Sequence, residues 1–125
     1  MPFIHDDILD LSLAGIDAQV ENLYITTQEV VTYTEAITTY KCGVKATPTI
    51  GTPEAGAANG RRVIVAEVTD GTVECTGTVS ATHWALTDNS ATKLIATGAL
   101  GASQDVTNGN TFTLTAFSVT LPDAA

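Results

Sequence analysis

The chain contains one segment with helical periodicity, near its N-terminal end. Within residues 6–20, Leu9, Leu13 and Ile16 recur at the spacing of a single helical face. Two aspartates at the start of this segment are suited to cap free backbone amides and to meet the positive end of the helix dipole. The pattern therefore predicts an amphipathic α-helix over residues 6–20. An isolated helix of this length is marginal in water, so it must pack on something.

Two surfaces remain open as the packing partner of this helix: the protein's own sheet, or a neighbouring subunit. Phe3 and Ile4 precede the helix and are apolar residues at a chain end that would normally be exposed. Each large side chain gains roughly 1.5–3 kcal/mol when it is fully buried. We therefore expect Phe3, Ile4 and the Leu9–Leu13–Ile16 face to be buried, and we treat them as candidate interface residues.

From residue 22 onward the pattern changes to short apolar runs between turn signals. There is no alternation of strand-like and helix-like segments, so a parallel α/β sheet is excluded. The sequence predicts a mainly β protein: an antiparallel β-sandwich or small barrel over residues 22–121 with one N-terminal α-helix, in a single domain over residues 1–125. The predicted strands are Asn22–Thr27, Cys42–Ile50, Arg61–Val68, Val79–Thr87, Lys93–Thr97 and Thr111–Leu121.

Asp70-Gly71 lies between two strand-like runs, VIVAEV and TVECTG. An Asp-Gly pair in this position is a strong short-range hairpin signal, because both central residues of a type I′ turn need positive φ. The sequence predicts a two-residue hairpin turn here.

The last predicted strand changes the parity of its apolar residues partway along. Phe112 and Leu114 share one parity, whereas Phe117 begins the other. A β-bulge at Ala116-Phe117 would explain the change, and so would burial of both strand faces. In so small a domain, burial of both faces indicates a subunit interface, which makes Phe117 a candidate interface residue.

Composition and charge exclude two classes of partner. The 125 residues carry a net charge of −9, with 14 acidic residues against five Lys and Arg. A nucleic-acid binder normally shows a basic stripe, so DNA and RNA are not expected partners, and an anionic membrane surface is not expected either. No apolar run reaches the roughly 18 residues of a membrane-spanning helix. The opening residues lack the basic start of a secretory signal, which favours production in a cytoplasm.

The two cysteines, Cys42 and Cys75, are 33 positions apart, which is neither CxxC spacing nor a secreted disulfide framework. We expect two small, buried, reduced thiols.

Catalytic and metal-binding signatures are missing from the sequence. GxSxG, GxxxxGK[ST] and HExxH do not occur. The densest group of possible metal ligands is His5 with Asp6, Asp7 and Asp10, but these aspartates are explained more simply as capping and dipole partners at a helix start. The sequence predicts no enzyme activity, no cofactor and no metal.

The remaining interface candidates are Arg61, Arg62 and Trp84. The arginine pair is either solvated or directed at an acidic patch of a partner. Trp84 alternates with His83 in a strand, so the two side chains point to opposite faces. Trp84 is interpreted as a core residue, with an interface anchor as the alternative, because Trp is enriched at binding hot spots.

Several stretches of the chain resemble small virion proteins of tailed bacteriophages. They are THWALTD (82–88), NTFTLTAF (110–117), the final TLPD (120–123), DDILDLSLAGI (6–16) and ITTQEVVTYTEAITTYKCG (25–43). The resemblance covers nearly the whole chain, although its shared residues serve packing and turns rather than chemistry. It implies a virion component with a β-sandwich-like body and no catalytic residues.

These observations together lead us to expect a capsid decoration protein that binds and stabilises the outer surface of an assembled head. Its partners would be the major capsid protein or other virion proteins, and itself as a homo-oligomer, with a trimer favoured over a dimer. One alternative is a neck or tail adaptor or fibre-attachment component. Another is a carbohydrate-binding adhesion module, for which Trp84, Tyr24, Tyr33 and Tyr40 are the available aromatic residues.

Overall fold

The computed structural model describes residues 5–56 and 60–121, and the chain forms two compact units. Strands make up 53% of the structure, which confirms a mainly β fold with one N-terminal helix. One unit contains helix α1 (Asp6–Gln19) and a three-stranded antiparallel sheet of β3 (Glu54–Ala55), β4 (Arg61–Val65) and β9 (Phe117–Leu121). The other unit contains a six-stranded antiparallel sheet of β1 (Asn22–Thr26), β2 (Lys41–Ala46), β5 (Val68–Val73), β6 (Thr78–Asp88), β7 (Lys93–Thr107) and β8 (Thr111–Leu114).

The predicted helix is confirmed to within one residue. Leu9 and Leu13 of α1 are buried, and the helix lies against β4 of its own unit. In the three-stranded sheet the order is β3-β4-β9. Val63 and Val65 of β4 are fully buried and complete the apolar centre of this unit.

The six-stranded sheet has the order β7-β6-β1-β2-β5-β8 and curls into a half-barrel. Its central strand β1 is buried on both faces, since Leu23, Tyr24, Ile25 and Thr26 are all inaccessible or nearly so. The two edge strands approach each other where the Gln104 side chain of β7 donates a 2.9 Å hydrogen bond to a carbonyl oxygen of β8.

A covering segment closes one face of this sheet. Residues 30–40, which include a π-helical turn at Glu35–Thr39, follow β1 and fold back over it. Val30 and Ala36 are fully buried there against Tyr24 and Ala85. The segment therefore consists of one helical turn flanked by irregular chain.

The predicted Asp70-Gly71 hairpin is wrong. Both residues lie inside β5, and Gly71 does not have the positive φ that a type I′ turn requires. Gly71 pairs with Phe112 of β8, and a Cβ built on Gly71 would lie 2.3 Å from the Phe112 ring. The glycine is therefore needed for close packing of an aromatic ring and not for a turn. Asp70 forms an ion pair with Lys45 on the neighbouring strand, at 3.0 Å.

Two predicted strands are each divided between the two sheets. Residues 61–65 form β4 in one sheet, and Val68 already starts β5 in the other. Likewise β8 ends at Leu114 and β9 starts at Phe117. The change of parity at Ala116-Phe117 therefore marks the point where the chain passes from one sheet to the other. Neither a bulge nor a subunit interface is needed to explain it.

Strand β7 is longer than predicted but irregular. It runs to Thr107, whereas the sequence predicted a strand only as far as Thr97. Its pairing with β6 jumps from Ala99 to Gln104, so the residues between them bulge out of the ladder. The turn that follows β7 has the sequence Asn108-Gly109-Asn110, whose residue types are typical of turns, and Gly109 has a φ of 88° there.

Candidate functional site

The predicted apolar face of α1 is internal to the unit that contains the helix. Leu13 is fully buried and Leu9 is 5% exposed, while Ile16 is half-buried. This face packs within its own unit. Of the two packing partners considered for the helix, the structure therefore shows the protein's own sheet. Phe3 and Ile4 lie outside the described residues.

The opposite side of α1 carries large apolar side chains that are exposed to solvent. Ile8 is 56% exposed and Leu11 is 70% exposed. Leu11 also borders a shallow depression of about 470 Å³, together with Ala14, Pro53 and two aspartates. This outer apolar surface, defined by Ile8, Leu11, Ala14 and Pro53, was missed by the sequence analysis. The three-residue spacing of Ile8, Leu11 and Ala14 was the signal that could have revealed it.

Arg61 finds its acidic partner within the same chain. Its Nε lies 2.7 Å from Asp10 Oδ1 and its Nη2 lies 3.0 Å from Asp10 Oδ2, which is the two-pronged geometry of a strong guanidinium–carboxylate pair. The hydrogen bonds to Asp10 raise the pKa of Arg61 above its usual value. The expectation that Arg61 is solvated or faces an acidic partner is thereby corrected, because Arg61 joins β4 to α1 through the half-buried Asp10.

Arg62 is held less firmly than Arg61. Its Nε lies 3.5 Å from Glu54 Oε1 on β3, and this buried Nε atom makes no hydrogen bond to any described residue. Both side chains are partly exposed, so the pair contributes little to stability. Arg62 is therefore only loosely fixed, with 36% of its side chain exposed.

Trp84 and Phe117, the two aromatic interface candidates, lie in different sheets. Trp84 is 8% exposed and pairs with Gly98, where an added Cβ would lie 2.7 Å from the indole ring. This is a core position, and it leaves little of Trp84 for a partner. Phe117 is half-buried in β9, opposite Val65.

The two cysteines are free thiols that lie near each other in the six-stranded unit. Cys42 is buried and Cys75 is half-buried. Burial, with a smaller contribution from the neighbouring Cys75, raises the pKa of Cys42 to about 11. A thiol is inert while protonated, so Cys42 is unreactive at neutral pH and Cys75 is the accessible thiol.

A polar cleft of about 530 Å³ opens at one end of the six-stranded sheet. It lies where the segment before β2, the β5–β6 connection and the β7–β8 turn converge. Lys41 and Glu74 form a 2.8 Å ion pair in its wall. The other lining residues are Thr27, Thr38, Thr39, Tyr40, Cys75, Thr76, Val79 and Asn108.

Within residues 5–56 and 60–121, no three His, Cys, Asp or Glu side chains are grouped so that they could hold a metal ion. No helix in these same ranges has the length and apolarity needed to cross a bilayer.

Comparisons with known proteins add no relative. A scan against protein-family models gave no match, and searches among curated proteins and solved structures found no significant similarity. The class defined by the structure itself is a mainly β antiparallel protein with a single described helix.

Proposed function

We propose that this chain is a structural protein of a bacteriophage virion, most simply a capsid decoration protein that binds the outer surface of an assembled head. The outer apolar surface of α1 is the observation that supports this most directly. Exposed apolar side chains in such a group are typical of a surface that binds another protein. The resemblance seen in the sequence to small phage virion proteins is the reason for choosing a virion protein as the proposed partner.

The charge of the chain supports the same proposal. A net charge of −9 keeps a protein present in many copies soluble, and it disfavours binding to nucleic acid. A ligand that binds only the assembled shell stabilises that shell by mass action, which is how a decoration protein would act.

The two features that suggested a homo-oligomer in the sequence no longer argue for it. The parity change of the last strand reflects the membership of β8 and β9 in different sheets, and the Leu9 and Leu13 face of α1 is buried within its own unit. The outer apolar surface of α1 is a new support for an oligomer, and we keep a trimer as the oligomer to test. Sedimentation of the purified chain at micromolar concentration would reveal a monomer if this part of the proposal is wrong.

Copy number separates the proposed location from its alternatives. Particles are purified from the phage whose genome encodes the chain, and the chain is quantified against the major capsid protein by mass spectrometry. Hundreds of copies per particle are the expected result for decoration of the head. A single ring's worth would overturn decoration in favour of a neck or tail component, and absence from purified particles would overturn the virion proposal altogether.

A further inference from the structure

We infer that the polar cleft of the six-stranded unit is a binding site for a neutral saccharide of about two sugar units. The inference goes beyond the proposed virion role and does not depend on it. It is based on the position of the cleft, on the hydrogen-bonding groups in its wall and on its charge.

The position of the cleft is one where β-proteins bind ligands. It opens at the end of a curled sheet, and the mouths of β-barrels are a recurrent place for small-molecule sites. Its volume of about 530 Å³ lies within the range of about 300–1,000 Å³ that is typical of ligand pockets.

The wall of the cleft offers hydrogen-bonding groups that the protein itself does not use. The side chains of Thr27, Thr38, Thr39, Thr76 and Asn108 make no hydrogen bond within the described residues. Two threonines of β6 and β7 do use their hydroxyls within the protein. Thr82 donates to the Thr27 carbonyl oxygen at 3.0 Å, and Thr97 donates to the Trp84 carbonyl oxygen at 2.8 Å.

Hydroxyl groups can donate and accept, and an amide does the same through separate atoms. A set of four hydroxyls and one amide therefore matches a ligand that is itself covered with hydroxyl groups. Sugars are such ligands, and a sugar would exchange its water hydrogen bonds for these.

The charge of the cleft excludes the main competing ligand classes. Lys41 and Glu74 neutralise each other across 2.8 Å, so the wall presents no net charge to a phosphate or to a polyamine. The lining is also too polar for a lipid, since Val79 is its one aliphatic residue.

Of the four aromatic residues named from the sequence, Tyr40 lines the cleft, whereas Tyr33 does not. Trp84 and Tyr24 are buried in the sheet and cannot face a ligand. Tyr40 is half-buried and lines the cleft, so it is the aromatic residue that belongs to the site.

The test is an NMR titration of the full-length, isotope-labelled chain with maltose, cellobiose, lactose and chitobiose, each added separately. Adenosine monophosphate and spermidine serve as charged comparators. We expect at least one disaccharide to shift the amide signals of Lys41, Glu74 and Thr76 in a saturable way. The same sugar should slow the alkylation of Cys75 by iodoacetamide, because this thiol lines the cleft.

Hydroxyl deletion provides the matched comparison. Thr76→Val and Thr38→Val each remove one exposed cleft hydroxyl, and each should weaken binding by about 5-fold if its hydroxyl bonds the sugar. Thr72→Val removes an exposed hydroxyl of the same sheet outside the cleft, and it should bind like the unaltered chain. Saturation by none of the four disaccharides, saturation by a charged comparator instead, or unchanged binding in both cleft variants would overturn the inference.

Discussion

The two compact units differ in how they treat their large apolar side chains. In the six-stranded unit, aromatic rings are packed onto glycines: Phe112 covers Gly71, and Trp84 covers Gly98. Both of these rings are buried inside the unit. In the helix-containing unit, Ile8 and Leu11 face the solvent.

This difference bears on the proposed function, because it places the outer apolar surface on the helix-containing unit. Of the three large apolar residues exposed within the described part of the chain, two lie on α1, and the third is Val31 in the six-stranded unit. The inner side of α1 belongs to the core of its own unit, and the exposed outer side is the surface that the proposed function assigns to a partner.

Truncating a side chain should cost much more stability on the inner side of α1 than on its outer side. Leu13→Ala removes a fully buried side chain and should lower the free energy of unfolding by about 3 kcal/mol. Leu11→Ala removes a side chain that is 70% exposed and should change stability by less than about 0.5 kcal/mol. Chemical denaturation measures both, and equal losses would show that the helix does not have an inner and an outer side.

Gly71→Val should destabilise the six-stranded unit by about 2–3 kcal/mol, because its Cβ would overlap the Phe112 ring. Gly101→Val is the matched control, since a Cβ at Gly101 meets nothing within 4 Å. Combining Gly71→Val with Phe112→Leu tests the cause. If the second change recovers none of the melting temperature, then ring overlap is not the reason that residue 71 is glycine.

The ion pairs of the helix-containing unit should differ in strength. Asp10→Asn breaks the two-pronged contact with Arg61 and should cost about 1 kcal/mol, since both side chains are mostly shielded from water. Glu54→Gln alters the longer and more exposed contact with Arg62 and should have a smaller effect. Thermal denaturation of the two variants shows which ion pair stabilises the unit more. A larger drop in melting temperature for Glu54→Gln than for Asp10→Asn would contradict the expected order.

The smallest effect concerns acid stability in the six-stranded unit. The Ser90 backbone amide and hydroxyl donate to the Glu21 carboxylate and hold its pKa below the ordinary value of 4.5. A lowered folded-state pKa stabilises the protein above pH 4.5, and this contribution is lost as the pH falls through the folded-state value. Glu21→Gln should therefore flatten the pH dependence of stability below pH 4.5. A denaturation series across that range identical to that of the unaltered chain would refute the assignment.

The sequence was sufficient for the fold class because its periodicities are local. The spacing of Leu9 and Leu13 identified α1, and the Asn108-Gly109-Asn110 turn was recognisable from its residues alone. Asp70-Gly71 has the same local chemistry, but its glycine serves a contact with Phe112, which is 41 positions further along the chain. A contact between residues so far apart cannot be recognised from the few residues around Asp70-Gly71. The conformation there was decided by tertiary packing.

The candidate surfaces were harder to predict for a related reason. Arg61 and Asp10 are 51 positions apart, so nothing in the sequence paired them. The hydrogen-bonding side chains of the polar cleft come from three separate connections, and a chain rich in threonine gave no reason to single them out. Ile8 and Leu11 were visible in the sequence, but the stronger periodicity of the inner face concealed them.

In the proposed function, the outer side of α1 attaches the protein to its partner, while the inner side stabilises the fold. The most direct measurement is the occupancy of phage particles by Leu11→Asp, compared with Val31→Asp, which places the same charge on an exposed apolar site of the other unit. Both variants should fold with unchanged melting temperatures. The account predicts that Leu11→Asp is largely lost from purified particles while Val31→Asp is retained; retention of Leu11→Asp at full occupancy would contradict it.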